Sequence, residues 1–231
     1  MSLSEELREL LRREGCGIVG FADLSRMPVE STRGYTCGVV IALPFTKDAV
    51  MENRDGAPQR YYAEHSPMDE RFKGLKAIIA DFLAASGYDA LTETPASIVN
   101  DDTLRALLSQ KTVATLSGIG WIGKNAMLVT EEAGSAVRLT AVLTNAPLEC
   151  GTPTMKSKCD PDCTACAEAC PGKAPLGRIW EAGIERDAFF DARACQAAAR
   201  ARGRALLGID RSMCGLCAAN CPFTKKALGY E

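Results

Sequence analysis

Residues 159–171 read CDPDCTACAEACP and residues 214–222 read CGLCAANCP, and Cys195 stands between them. Eight of the chain's eleven cysteines therefore fall in its last 73 residues. Where two four-iron clusters share a chain, three closely spaced cysteines bind one cluster and a fourth, just before a proline, binds the other. Applied here, this crossed spacing uses all eight thiolates. It predicts a first cluster on Cys159, Cys163, Cys166 and Cys221, and a second on Cys170, Cys195, Cys214 and Cys217.

Two other uses of these cysteines compete with clusters. A disulfide framework is typical of short secreted chains, but the polar opening segment SEELRELLRREG has no apolar signal region. A pair of zinc sites is the stronger alternative, because Cys163-x2-Cys166 and Cys214-x2-Cys217 each have the spacing of half a zinc ribbon. Zinc leaves both Cys-Pro positions and Cys195 unexplained.

The first run of cysteines is irregular in one respect. Its first gap has three residues, whereas the bacterial ferredoxin run has two at that place. Cys159 is therefore expected to sit differently on its cluster, and Cys150 is a distant substitute for it.

Composition limits the classes of function. The chain has 231 residues, is 47% hydrophobic and carries a net charge of −2. It can bury a sizeable core, and the charge argues against a protein whose main work is to bind phosphates. No stretch approaches 18 consecutive apolar residues, which predicts no membrane span. Many free cysteines without an export signal predict a reducing, cytoplasmic setting.

Hydrophobic periodicity predicts an α/β N-terminal part. Residues 4–13 have the spacing of an amphipathic helix, with Ser2 and Ser4 as candidate caps. Apolar runs at 16–21 and 35–43 predict buried strands, the second with Cys37 in the core. Further elements are expected in order as a loop over 51–68, a helix over 68–86 that ends at Gly87, a strand at 90–91, a helix over 102–118, and strands at 126–130 and 137–143.

The segment Gly118-Ile-Gly120-Trp121-Ile-Gly123-Lys124-Asn125 matches the dinucleotide pattern G-x-G-x-x-G. That pattern is meaningful only after a strand and at the start of a helix, where the helix N-terminus meets a pyrophosphate. Here a predicted helix precedes it and a predicted strand follows, so we reject dinucleotide binding. Glycines permit close backbone approach, so a flat ligand could lie on this loop. The alternative is a tight helix-to-strand turn with Trp121 in the core.

Several motifs together resemble the epoxyqueuosine reductase family, which is itself related to the reductive dehalogenases. The resemblance covers roughly residues 60–231. It is specific because a glycine-rich loop followed by a double-cluster run is an unusual combination. The motifs that carry it are GIGWIGKNAMLVT at 118–130, RLTAVLTNAPLE at 138–149, TACAEACP at 164–171, FDARACQ at 190–196 and CGLCAANCPF at 214–223.

The resemblance implies a fold and a set of cofactors. It implies an α/β (α+β) domain, like those that bind cobalamin or act as flavin reductases, over 1–149, and a ferredoxin-like domain with two [4Fe-4S] clusters over 150–231. Electrons would pass from an external donor such as a flavodoxin or ferredoxin through both clusters to cobalt. The residues that would line the corrinoid, by resemblance, are Gly118, Gly120, Trp121, Gly123, Lys124 and Asn125.

The chain also departs from the family pattern. Epoxyqueuosine reductases place a catalytic aspartate before the glycine loop, and the candidates here, Asp101 and Asp102, lack its sequence context. A helix N-cap is the other role for them. The family's C-terminal extension, which helps to bind tRNA, has no counterpart in this sequence, so we do not expect tRNA as a partner.

These observations favour an iron–sulfur oxidoreductase, dependent on cobalamin, that reduces a small or nucleoside-like substrate. The alternative is an electron carrier, or a protein that reduces a corrinoid partner, with no substrate chemistry of its own.

Overall fold

The computed structural model describes residues 2–94, 99–100 and 102–230. Its first helix, α1 (Leu3–Arg13), begins with a capping box, in which the Ser2 hydroxyl accepts from the Glu5 backbone and the Glu5 carboxylate accepts from the Ser2 backbone. Leu7 and Leu11 are buried on one face, as the periodicity predicts. The predicted helix is therefore confirmed, and Ser2 is its cap.

A four-stranded sheet follows the predicted apolar runs. Its strands are β1 (Ile18–Asp23), β2 (Cys37–Pro44), β3 (Ala90–Leu91) and β8 (Val137–Thr144), in the order β1-β2-β8-β3. β1 pairs with β2, and β3 with β8, in antiparallel fashion. Every residue of β2 from Cys37 to Leu43 is buried, which confirms a core strand. β1 begins two residues later than the apolar run, and a short helix, α2 (Val29–Thr32), lies between β1 and β2 in sequence.

The segment over 51–68, which we expected to be a loop, is largely helical. It contains α3 (Lys47–Arg54), α4 (Gln59–Ala63) and the start of α5 (His65–Ala85). The Thr46 side chain caps α3 by accepting from the Ala49 backbone. These helices are short, and Gly56 and Pro58 between them gave the turn signal that misled the prediction. α5 ends before Gly87, which has a φ of +85°, as expected.

The helix expected over 102–118 is wrong in its first half. Arg105–Ala106 is a strand, β5, paired with β4 (Val99–Asn100), and only Gln110–Leu116 is helical, as α6. Leu107 is 73% exposed, whereas Leu108 and Val113 are buried. Ser109 caps α6, so the cap role proposed for the aspartates is not found at Asp102.

A small hairpin follows α6. Its strands are β6 (Trp121–Ile122) and β7 (Leu128–Val129), which pair in antiparallel fashion. No helix starts at the glycine-rich segment, which confirms that it is not a dinucleotide fingerprint. The cysteine-rich part contains α7 (Ala165–Glu168), a 3-10 turn at Arg186–Ala188, α8 (Ala192–Leu207), α9 (Leu216–Ala219) and α10 (Pro222–Leu228).

The described residues divide into two compact units that are discontinuous in sequence. The sheet unit comprises Met1–Leu43, Met68–Ile119 and Arg138–Thr154, and the cysteine unit comprises Pro44–Pro67, Gly120–Val137 and Met155–Glu231. This differs from a single boundary after residue 149, because two earlier segments pack with the cysteine-rich part. Among the residues described, no helix is both long and apolar enough to span a membrane.

Candidate functional site

Two cavities lie within the cysteine unit, and each is lined by four cysteines. The first has a volume of about 520 Å³ and is lined by Cys166 of α7 and by Cys221, which immediately precedes α10. Its cysteines are Cys159, Cys163, Cys166 and Cys221. This is the set that the crossed spacing assigns to a first cluster. The cluster itself stays a prediction.

The second cavity has a volume of about 200 Å³ and is bordered by α8 and α9. Its cysteines are Cys170, Cys195, Cys214 and Cys217. This is the set expected for a second cluster. The two Cys-x2-Cys pairs line different cavities, so they do not combine into one zinc ribbon. Cys150 lies in the sheet unit and lines neither of these two cavities.

The thiols of each set perturb one another. Burial raises the pKa of Cys166 to about 11, and the next causes are Cys163, Cys159 and Cys221, its three partners in the first cavity. Burial also raises the pKa of Cys217, with Cys195 and Cys214 as the next causes. Thiols with raised pKa values are protonated at neutral pH, so a metal must displace protons to bind them.

No three His, Cys, Asp or Glu side chains within the described ranges are arranged to hold a single metal ion. A four-iron cluster makes a different demand, because each thiolate binds a separate iron corner. The two sets fit such a cluster chemically, since each is entirely thiolate and lies in a cavity wall. Backbone donors also reach the sulfurs, as where Ala174 N lies 3.4 Å from Cys170 Sγ. Such hydrogen bonds to sulfur tune cluster potential.

Lys124 is a charged group in the wall of the first cavity. Its side chain is almost completely buried, and its Nζ donates to the carbonyl oxygens of Pro161 at 2.6 Å and Cys163 at 2.9 Å. The ammonium therefore holds the backbone that carries one cysteine of the set. It also places a positive charge beside a site that four thiolates would make strongly negative.

The second cavity has a comparable support behind Cys214. The carbonyl oxygen of Cys214 accepts from Asn53 Nδ2 at 2.9 Å and lies 3.5 Å from Arg202 Nη1. Arg202 Nη2 also donates to the Asn53 carbonyl oxygen at 3.1 Å. Burial raises the pKa of Cys214, whereas the backbone of Leu216 and the Arg202 charge lower it.

The residues of the glycine-rich loop fall into two groups with different surroundings. A Cβ at Gly118 would lie 2.5 Å from Thr152 O, and a Cβ at Gly120 would overlap Val129 O. The space beside both glycines is thus filled by the protein's own backbone. Gly123, Lys124 and Asn125 line the first cysteine cavity instead.

Trp121 is buried, and its ring meets Phe223 edge-on with centroids 4.9 Å apart, which agrees with a core tryptophan in a tight turn. Asn125 is buried too and bonds Ser135 Oγ at 2.9 Å. Contact of this loop with cobalamin stays a prediction. Of the two candidate aspartates, Asp101 lies outside the described residues, and Asp102 is exposed in a turn.

Sequence reasoning missed two aromatic residues of the second cavity. Tyr61 and His65 both line it, with ring centroids 5.4 Å apart. They come from the segment we expected to be a loop. No local pattern linked that segment to cysteines more than a hundred residues later in the chain, so the sequence held no signal for them.

Curated epoxyqueuosine reductases are similar to this chain in sequence. An epoxyqueuosine reductase of Gloeobacter violaceus is 34% identical over 134 residues, one of Bacillus subtilis is 37% identical over 94, and one of Listeria monocytogenes is 46% identical over 70. The matches cover 52%, 41% and 30% of this chain, but only 37%, 22% and 18% of those relatives. No protein-family model matches the chain.

Solved structures agree on the fold. A crystal structure of epoxyqueuosine reductase with an epoxyqueuosine-modified tRNA stem loop is 24% identical in sequence, with a TM-score of 0.61. The alignment covers 96% of this chain and 65% of the chain in that structure. A catabolic reductive dehalogenase is 16% identical, with a TM-score of 0.64. The alignment covers 96% of this chain and 33% of the dehalogenase chain. The mixed α/β fold is therefore confirmed, and the sequence resembles curated epoxyqueuosine reductases over part of their length. The first of these structures contains a tRNA stem loop, whereas we expected no tRNA partner for this chain.

Proposed function

We propose that this chain is an iron–sulfur reductase that binds two [4Fe-4S] clusters. The observation that carries the proposal is the pair of cavities in the cysteine unit, each lined by four cysteines drawn from both cysteine runs. Relatives named as reductases support the reaction class. The clusters supply one-electron chemistry, and the protein's part is to bind, shield and tune them.

The described residues perform these tasks in specific ways. The thiolates would hold the irons, and the largely apolar lining of both cavities would limit water access. Lys124 at the first cavity and Arg202 near the second provide positive charge, which favours the reduced, more negative state of a cluster. Electrons from a donor such as a flavodoxin or ferredoxin would enter through one cluster and leave through the other.

Cobalamin is the third cofactor we propose, and it rests on the resemblance alone. When bound, it would supply a cobalt centre that accepts electrons from the clusters and passes them to the substrate. Because the chain covers only part of its relatives' length, the substrate is also a proposal. We propose that the substrate is a small or nucleoside-like molecule. We also propose that the protein works in the reducing environment of the cytoplasm. A carrier without substrate chemistry is not favoured, since the relatives are reductases.

Metal analysis tests the cluster proposal. Protein reconstituted without oxygen should contain about eight irons and eight sulfides per chain. Cys195→Ser should lose about half of the iron and one of two paramagnetic signals after reduction, because only the second cavity contains Cys195. Cys16→Ser, outside both sets, is the control and should retain both signals. Zinc in place of iron, or loss of both signals in a folded Cys195→Ser protein, would contradict the proposal.

Two binding measurements separate the remaining alternatives. An absorbance titration of the reconstituted protein with cobalamin should show saturable binding, and its absence at tens of micromolar would leave the iron–sulfur assignment without the corrinoid. A gel-shift titration with tRNA, repeated at several salt concentrations, tests the partner. Tight, salt-sensitive binding would identify tRNA as the substrate carrier despite the net charge of −2.

A further inference from the structure

Two cysteines outside the eight of the cavities lie side by side in the sheet unit. Cys37 Sγ and Cys150 Sγ are 3.7 Å apart, although 113 residues separate them in sequence. Cys37 begins β2 and is buried, whereas Cys150 follows β8 and is exposed. Nothing in the proposed redox chemistry uses either thiol.

The backbone on the Cys150 side is held on both flanks. Glu149 N donates to Ser4 Oγ at 2.6 Å, and Gly151 N donates to Phe21 O at 2.9 Å. These bonds attach the residues before and after Cys150 to the start of α1 and to β1. The exposed thiol is therefore held in a defined place, although it lies in a segment without regular structure.

Close packing adds a third restraint to the same segment. A Cβ at Gly151 would overlap the carbonyl oxygen of Ser117, so the backbone there lies directly against the end of α6. Thr154 N also donates to Thr115 O at 2.8 Å. A segment restrained at several points cannot easily swing its cysteine away from a neighbour.

Cys37 is held by the sheet itself. It is the Cα partner of Asp23 in the antiparallel register of β1 and β2. A disulfide has an S–S length of about 2.05 Å, so the two sulfurs must approach by less than about 2 Å. We expect rotation of the two side chains to supply this change while both backbones keep their bonds.

We propose that Cys37 and Cys150 form a reversible disulfide, so that the sheet unit carries an oxidation site separate from the cluster cysteines. The exposed Cys150 is the thiol that a low-molecular-weight disulfide reaches first. Its thiolate attacks one sulfur of that disulfide, forms a mixed disulfide and releases one thiol. The Cys37 thiolate then attacks Cys150 Sγ, forms the internal bond and releases the second thiol.

The two exchange steps balance in atoms and electrons. The protein loses two protons and two electrons, and the small disulfide gains them as two thiols. Burial raises the pKa of Cys37 and of Cys150, and the negative charge of Asp23 also raises that of Cys150. Because few thiolates are present at neutral pH, the pair responds slowly and is not a general nucleophile.

The bond would have a structural effect within the sheet unit. It would join β2 to the segment after β8 and close a loop of more than a hundred residues, which restricts the unfolded chain. The oxidised protein should therefore unfold at a higher temperature than the reduced protein. Addition of a thiol reductant should reverse the difference.

The experiment uses the cluster-loaded protein without oxygen, incubated with oxidised glutathione. We expect the intact mass to fall by two hydrogens, a peptide that joins residues 37 and 150, and an unchanged iron content. Cys150→Ser should show neither the mass loss nor the rise in unfolding temperature. Cys16→Ser is the matched control, because Cys16 is also outside the cavities and should leave the reaction intact.

Three results would overturn the proposal. The first is a glutathione adduct that persists on Cys150, because Cys37 would then not reach it. The second is a bond that joins Cys150 to a second copy of the chain or to any cavity cysteine. The third is a pair of thiols that both stay free after prolonged incubation. None of these results depends on the iron–sulfur assignment, which metal analysis tests separately.

Discussion

Lys124 is a charged residue that lies almost wholly inside the protein. A buried ammonium is stable only where acceptors or negative charges surround it. Its two acceptors are the backbone carbonyls of Pro161 and Cys163, and the residue also lines the first cysteine cavity. A four-thiolate cluster would provide the missing counter-charge, so we expect Lys124 to influence the potential of that cluster.

Lys124→Met should lower the midpoint potential of the first cluster and leave the second unchanged. The physical reason is that a nearby positive charge stabilises the reduced state, and low dielectric strengthens the effect. We expect about a tenfold change in the ratio of reduced to oxidised cluster, which equals ~59 mV for one electron. A redox titration followed by paramagnetic resonance measures both clusters in one sample.

Lys158→Met is the matched control for this prediction. Lys158 lines the same cavity, but its side chain is 57% exposed and pairs with Glu131 at 2.8 Å. Water and salt screen such a charge, so its removal should change the potential much less. Equal shifts in the two variants would show that burial of Lys124 has no special role.

The role of Lys124 was not accessible from sequence, although the cysteine sets were. Cysteine spacing is local and carries the geometry of the cluster, which is why the predicted sets of four are those that line the two cavities. Lys124 contacts a carbonyl 37 residues later in the chain. No periodicity records such a contact, so the resemblance alone assigned this lysine to a corrinoid.

At the scale of elements, one face of α8 forms part of the second cavity. Cys195, Ala198 and Ala199 line it, and Arg202 lies on the same face, seven residues after Cys195. Residues spaced by three, four and seven share a helix face, so one element presents both a cysteine and the cation near Cys214. The small alanines leave room for a cluster between them and α9.

Gly215→Ala should disrupt the start of α9 and the second cluster. Gly215 is the N-cap residue of α9 with a φ of +74°, and a Cβ there would lie 2.5 Å from the Tyr61 ring. Left-handed backbone alone costs a non-glycine residue about 1–2 kcal/mol, and the clash adds to that cost. Thermal unfolding and iron content measure the two effects.

Gly208→Ala is the control that separates the strain of a left-handed backbone from the steric clash with Tyr61. Gly208 ends α8 with a φ of +68°, but no atom lies within 4 Å of the position of its Cβ. This variant should lose about 1 kcal/mol of stability while it keeps both clusters. If Gly215→Ala behaves in the same way, contact with Tyr61 does not support the cavity.

Elements with a strong apolar pattern were predictable, and short ones were not. β2 and α5 have long apolar runs or faces, and each was found within a few residues of its predicted bounds. The helices between residues 47 and 63 are too short to show a periodic face. The region around Leu104 failed for another reason, because a left-handed residue with a φ of +53° interrupts the expected helix.

At the scale of the molecule, the division of the chain follows contacts rather than sequence order. Segments Pro44–Pro67 and Gly120–Val137 belong to the cysteine unit, although the sheet unit surrounds them in sequence. Their attachment rests on contacts such as Asn53 with Cys214 and Ser135 with Thr224. The sequence predicts no linker at the ends of these two segments.

Removal of iron should affect the two units differently. Chelation under reducing conditions should increase amide hydrogen exchange in Gly120–Val137 and Met155–Glu231, because metal ligation contributes to the folding free energy of a cysteine-rich unit. Strands β1 and β2 should keep their protection. Exchange measured by mass spectrometry resolves these segments, and a uniform loss across both units would contradict the division.

The crossed arrangement of the cysteines has a consequence for biosynthesis. Each cavity takes cysteines from both runs, so neither set is complete until Cys214 to Cys221 have been made. The cysteines of the first run emerge from the ribosomal tunnel while the second run is still inside it. At that stage neither set of four cysteines is complete. Cluster delivery should therefore follow the synthesis of Cys221, and the nascent chain should depend on a thiol-protecting environment until then.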